Sequence, residues 1–295
     1  LKPIFEFWQK SIRQMPPALN YLQNRGLVNP DMLDEFQIGY CDLNFSEKLP
    51  NGREGSELRQ KLKELGILSE KGRAYFAGCL VFPLFDQEGR VVQIYGRRIE
   101  PKAGYSNHWH LSQKLRGFVN PKAFIAKEII LCESIIDALS FWVNGFRNIT
   151  CTLGVNNFSD EHLQVFLQNK IERVFIAYDN DFADENGKSP GNDAAVERAS
   201  LLAAHGIEPL RIEFPENTDA NEYIQRVKSP AESLKLLLSS AKVMLSPAKK
   251  KEVVRFPEMK QTTEYPWEKQ PIAGGGFAYI FRHGDREYKV LSLEK

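Results

Sequence analysis

Cysteine is scarce in this chain, and what there is stands apart. Cys41, Cys79, Cys132 and Cys151 are the only cysteines among 295 residues. None forms a CxxC pair, which argues against zinc within the chain and for buried, reduced thiols. No uninterrupted apolar run approaches the roughly 18 residues a membrane-spanning helix requires. No charged-then-apolar leader opens the sequence either, so the expected setting is cytoplasmic, with no membrane partner. No internal repeat is visible. The first residue is Leu1 rather than Met, and the expectation is a piece of a longer polypeptide.

Net charge is also nearly absent, at +1 overall, but the balance hides a partition. Residues 1–125 carry 18 basic and 13 acidic side chains, residues 126–227 carry 8 and 17, and residues 228–295 carry 13 and 8. An acidic centre of −9 therefore lies between two flanks of +5. A solvated acidic face accounts for the centre. The same asymmetry suits a metal-binding core beside surfaces that attract a polyanion. With 42% hydrophobic and 26% charged residues the chain reads as globular, and its length allows two domains with a core each.

What is present is clearest in the centre. IILC (129–132) reads as a buried strand, SIIDALSFWVNG (134–145) as a helix closed by Gly145, and NITCTLG (148–154) as a second strand. Ser159 reads as the N-cap of a helix carrying Leu163, Phe166 and Leu167 on one side. RVFIAY is a third strand, NDAAVERASLLAAHG (192–206) a helix capped by Asn192 and stopped by Gly206, and PLRIEF (209–214) a fourth strand. Such alternation implies an α/β fold with an open, mainly parallel sheet and flanking helices. Ligands gather in such sheets at a crevice beyond the carboxyl ends of the strands.

Two strand ends here carry acids: Glu133 follows the first strand directly, and in YDND, Asp179 and Asp181 close the third. Extended chain turns alternate residues to one side, so these two carboxylates point together, roughly 6 to 7 Å apart. Like charges so placed repel. A hard divalent cation with oxygen ligands offsets that repulsion, and a polar turn after a strand is the plain alternative. The convergence of three acids on one crevice favours the cation.

The flanks differ in character. ALNYLQNRGL (18–27) and SELRQKLKELGIL (56–68) read as helices, and residues 75–99 as a strand hairpin turning at Gln87, Glu88 and Gly89, which makes an α+β subdomain. The expected organisation is an N-terminal subdomain (1–125), an acidic catalytic subdomain (126–227), a helical tail (228–245), a linker rich in Pro, Lys and Gly (246–273) and the start of a further β-rich module (274–295).

CESIIDAL, LGVNNFSDEH, AYDND, GNDAA and ENTDANEYI, in that order, resemble the Toprim domain of bacterial-type (DnaG-like) DNA primases. YLQNRGL, FQIGYCD and FPLFDQEGRVVQIYGRRI are similar to the opening of the same family's RNA-polymerase domain, so the resemblance spans roughly residues 18–227. It implies template-directed RNA primer synthesis on single-stranded DNA from ribonucleoside triphosphates, with an RNA–DNA hybrid as product. Glu133, Asp179 and Asp181 would be catalytic and would hold two or more Mg2+ or Mn2+ ions; Asp137 and Asp219 would be further ligands or supports behind them. Read by itself, Asp137 is equally an exposed helix carboxylate. Arg97, Arg98, Lys114 and Arg116 fall where the family contacts nucleotide and template, although a solvated hairpin end and loop would carry the same residues. Trp109, with His108 and His110 beside it, either stacks on an unpaired base or fills a subdomain seam.

The chain also departs from the family. FADENGKSP (182–190) lengthens the loop after the acidic pair and adds Asp184 and Glu185. Asn221 stands where the family has a further acid, which is expected to remove a charge from the rim, and HWHLSQ lacks the usual starting lysine. The family's zinc ribbon is expected before Leu1. A replicative helicase partner and a phage or mobile-element origin stay open. The rival functions are a Toprim-type metal-dependent nuclease and a non-catalytic module that binds single-stranded nucleic acid.

Overall fold

Phe5, Trp8 and Ile12 recur every three or four residues and form the buried side of helix α1 (Lys2–Ile12), which the sequence reading left out. The computed structural model describes residues 2–101, 103–104, 106–111, 114–181, 189–248, 268–271, 277–283 and 286–292. Helices α2 (Pro16–Asn24) and α3 (Pro30–Glu35) each place proline in the first turn, where a missing N–H costs nothing. Then come β1 (Gly39–Cys41), α4 (Gly52–Glu64), β2 (Cys79–Phe85), β3 (Val91–Arg98) and β4 (His108–His110), whose strands form an antiparallel sheet in the order β1-β2-β3-β4. The expected hairpin is β2 and β3. Its turn closes with the Asp86 N–H donating to the Arg90 carbonyl and Gly89 at φ 76°, a region glycine enters without penalty.

The second half comprises β5 (Glu128–Cys132), α5 (Ile135–Val143), β6 (Ile149–Cys151), α6 (Asp160–Gln168), β7 (Arg173–Ala177), α7 (Pro190–Ala204), β8 (Glu208–Arg211), α8 (Ala220–Arg226), α9 (Pro230–Ser239) and β9 (Lys242–Val243). Its sheet runs β6-β5-β7-β8-β9, parallel throughout except for β9 at the edge. This is the mainly parallel α/β sheet read from the sequence. Along β5, Ile129 and Leu131 join the core of α6 and α7, while Ile130 and Cys132 join the core of α5. With both faces covered, the strand is apolar at successive positions. The α5 core is continuous with Leu22 of α2, Phe36 and the apolar residues of β2, and Phe36 meets Trp142 edge to face at 5.5 Å. Leu1–Lys249 accordingly form one compact unit.

Several boundaries shift. α7 starts at Pro190 with Ser189 at the cap position, three residues before the expected cap Asn192, because the proline preorganises an earlier first turn. β6 ends at Cys151 rather than Gly154, since Leu153 (φ 58°) and Gly154 (φ 121°) bend the chain out of the sheet. β8 ends at Arg211 rather than Phe214. Lys250–Lys295 form the second unit, in which β10 (Glu268–Pro271), β11 (Phe277–His283) and β12 (Arg286–Ser292) make an antiparallel sheet in that order. β10 lies in the stretch read as linker. Residues 249–267, 272 and 273 of that stretch, residues 274–276 with Gly284 and Asp285 of the last module, and the loop residues 182–188 with Asp184 and Glu185 lie outside the described residues.

Among the described residues no helix is long and apolar enough to cross a membrane. All four cysteines are free and buried, Cys41 opposite Cys79 across β1 and β2, and Cys132 opposite Cys151 across β5 and β6.

Candidate active site

The parallel sheet has a switch point. β5 leads through α5 to β6 on one side, while β7 pairs with the other side of β5, and the crevice between diverging connections is where open α/β sheets hold ligands. Cys132 pairs with Ala177 at the ends of β5 and β7. Glu133 therefore emerges beside Tyr178 and Asp179. Asp137, in the first turn of α5, and Asp219, which caps α8 by accepting the Glu222 N–H at 2.6 Å, come in from neighbouring helices.

The electrostatics record how close these groups lie. Burial pushes the Glu133 carboxyl up to about 7; the charges of Asp137, Asp181 and Asp219 add to the rise and the Asp179 N–H opposes it. Burial likewise holds Asp179 far above the usual carboxylate range, helped by Asp137, Glu133, Asp219 and Asp181. Five carboxylates thus act on one another around one crevice. Among the described residues, no three Asp, Glu, His or Cys side chains stand together closely enough to hold a metal ion. Asp179 Oδ1 is buried without a hydrogen-bond partner, the condition expected of an oxygen reserved for a ligand. The donor set is all hard oxygen, which fits Mg2+ or Mn2+ rather than a soft metal.

Asp137 is not an exposed helix carboxylate: it is 2% exposed, its Oδ2 accepts the Ser134 hydroxyl at 2.5 Å and its Oδ1 the Asn221 N–H at 3.1 Å. Burial first, then Asp219, raises its pKa, while the Ser134 and Asn221 hydrogen bonds hold it down. Asn221 is fully buried rather than on the rim. Its amide donates to the Arg25 carbonyl and to Ser140 Oγ, both at 2.8 Å, and its Oδ1 accepts from Arg25 Nη1 at 3.2 Å.

Sequence reasoning missed the backing of the acidic pair. Arg211, buried at the end of β8, donates to the carbonyls of Ile176, Tyr178 and Asp179 and to Asn192 Oδ1. Asn192 in turn donates to Asn180 Oδ1 and Ser189 Oγ, and the Ser189 hydroxyl to the Asp181 carbonyl. A Cβ on Gly191 would stand 2.4 Å from the Asp179 carbonyl oxygen, so glycine lets α7 approach the acidic turn. The available signal was a charged residue inside the apolar strand PLRIEF.

The four basic candidates do not make one patch. Arg97 sits with the Tyr21 and Tyr95 hydroxyls and, at 3.4 Å, His108 Nε2, and Tyr95 neighbours Cys151 of β6. Arg98 turns to the other face of β3 and lies over the Trp109 ring at 5.5 Å. Trp109 also meets Tyr75 edge to face and donates to the Ser106 carbonyl, so it packs in a seam. Lys114 and Arg116 are exposed, and Arg116 lines a surface cavity with Asp86, Arg90, Asp160 and Glu161.

Comparison with known proteins agrees with this fold. Residues 7–112 match the family model described as DNA primase catalytic core, N-terminal domain, and residues 130–224 match the model described as Toprim-like. The DNA primase of Pasteurella multocida is 28% identical over 243 residues, covering 77% of this chain and 40% of that protein. Among solved structures, the DnaG catalytic core superposes with a TM-score of 0.64 at 20% identity, over 82% of this chain and 79% of that one. A DnaG primase catalytic domain bound to ssDNA gives 0.62 at 21%, over 82% and 80%. Fold and site together define a Toprim-type α/β domain behind a primase N-terminal domain. The chain is similar to the DnaG-like DNA primases in both domains and spans about two fifths of the length of the curated relative above.

Proposed function

We propose that this chain is the catalytic core of a DNA primase, a nucleotidyltransferase that makes short RNA primers on unpaired DNA. The observation that carries this is the buried, partnerless Asp179 Oδ1 beside Glu133, at the switch point of the parallel sheet. Glu133, Asp179 and Asp181 would hold two Mg2+ or Mn2+ ions. When bound, such ions stabilise the attacking and leaving oxygens of in-line phosphoryl transfer. Asp137 and Asp219 act behind them, since Asp137 has both oxygens engaged within the fold and Asp219 caps α8. Arg97, held by the Tyr21 and Tyr95 hydroxyls and His108, offers its charge to phosphate oxygens of template or triphosphate. Arg98, Lys114 and Arg116 serve the path of template and RNA–DNA hybrid on other faces. The relative of the same fold solved with single-stranded DNA supports an unpaired template.

The test incubates the chain with unpaired DNA, labelled ribonucleotides and Mn2+. Short labelled products are expected, and Asp179→Ala is expected to lower their yield by at least about a hundredfold while sparing most DNA binding. Shortened DNA instead would assign a nuclease. Salt-sensitive retention of DNA with no product would assign a binding module.

A further inference from the structure

We infer that Arg211 is a positioning residue for the acidic pair, acting through the backbone of residues 178–181; the inference rests on the site reading above. β7 ends at Ala177 and β8 at Arg211, so the carbonyls of Tyr178 and Asp179 lie past the last ladder pairing. The Arg211 guanidinium takes over there. Nη1 donates to the Tyr178 carbonyl at 2.8 Å and to that of Ile176 at 3.3 Å, and Nη2 to the Asp179 carbonyl at 3.1 Å and Asn192 Oδ1 at 2.8 Å. Arg211 is 7% exposed, and none of these four bonds goes to a carboxylate.

Burying a guanidinium is costly unless its donors are met, and here they are met by the segment that must present two like charges. The rest of that segment is tied as well. Asn192 Nδ2 donates to Asn180 Oδ1 at 3.1 Å, Asn180 Nδ2 to the Phe214 carbonyl at 2.8 Å, and the Ser189 hydroxyl to the Asp181 carbonyl at 2.8 Å. The Asn180 carbonyl accepts the Asn217 N–H at 2.7 Å. Bonds to the backbone leave the acidic side-chain oxygens free. An arginine paired directly with Asp179 would compete with a cation for the same oxygens. Placed behind the backbone, it sets their direction and supplies a positive charge while leaving the ligand side open.

The test compares Arg211→Lys, Arg211→Met and Asn192→Ala in the full chain with the wild type. Amide exchange at residues 178–181 is expected to rise at least tenfold in the variants while β5 stays protected, with the thermal midpoint lowered by only a few degrees. Mn2+ affinity, read by titrating the free ion's paramagnetic resonance, is expected to fall about tenfold. Primer synthesis by Arg211→Lys is expected to recover at raised Mn2+, which a purely structural role would not produce. Unchanged exchange at 178–181, or exchange raised equally across the whole sheet, overturns the inference. Should the Arg211 variants not fold, Asn192→Ala, which keeps the arginine and loosens the clamp, gives the same two readings. Exchange and Mn2+ affinity do not depend on primer formation. A wild type that binds Mn2+ and makes no primers would therefore remove the functional reading and leave the assignment of Arg211 standing.

Discussion

Asn221 does with one amide what a carboxylate of the same shape cannot. Its two N–H groups are both used, on the Arg25 carbonyl and Ser140 Oγ, and its backbone N–H steadies Asp137. Asn221→Asp would lose both donors and bury a second negative charge beside Asp137. The expected cost is roughly 2 to 4 kcal/mol, read as a lower urea midpoint; a change within about 0.5 kcal/mol would show that the amide is dispensable. The sequence alone pointed to the residue and misplaced it on the rim. The reason is range: its partners stand 196, 84 and 81 residues away, and no local spacing reports such contacts. Glu133 and Asp179 each follow an apolar run directly and Asp181 stands two residues further on, so their place at the strand ends was legible. Arg211 stood out only as a charge inside the apolar run PLRIEF, and such an arginine looks the same in sequence whether it meets water or three carbonyls.

At the scale of elements, α6 joins a legible signal to a hidden one. Ser159 marks the helix start in the sequence, and His162 reaches back to accept the Ser159 N–H at 3.2 Å. The imidazole is also buried, stacked on Phe158 at 5.2 Å and edge-on to Phe118 at 5.1 Å. Burial holds its pKa down at about 4. With the unfolded value near 6.5, the unfolded chain takes the proton first. The stability tied to neutral His162 is therefore complete above about pH 6.5 and is lost as pH falls towards 4, to a total of roughly 3 kcal/mol. His162→Gln keeps an acceptor at the cap and removes the titration. Its unfolding free energy is expected to fall less than the wild type's between pH 7 and 4.5, by roughly 2 to 3 kcal/mol; parallel curves would show that another group carries the dependence. The helices and strands of residues 128–211 were readable because their periods are local, whereas α7's true start depended on Ser189 and Pro190, beyond the apparent cap.

For the molecule as a whole, the charge partition marked out an acidic centre, and the alternation of elements indicated the sheet that gathers its acids. The core shared by α2, β2 and α5 was not readable, because it depends on which faces meet rather than on any one face. That core has a use at the bench. The chain carries four silent reporters, two in each sheet of Leu1–Lys249: Cys41 and Cys79 in one, Cys132 and Cys151 in the other. Burial pushes all four thiols above their ordinary range, so a maleimide should leave the native chain unmarked. In a denaturant series read by mass spectrometry, all four are expected to become reactive in a single step. Early capture of Cys41 and Cys79 alone would show that the antiparallel half can melt by itself. No probe need be engineered: the rate at which the thiols disappear is a clock for the opening of the fold.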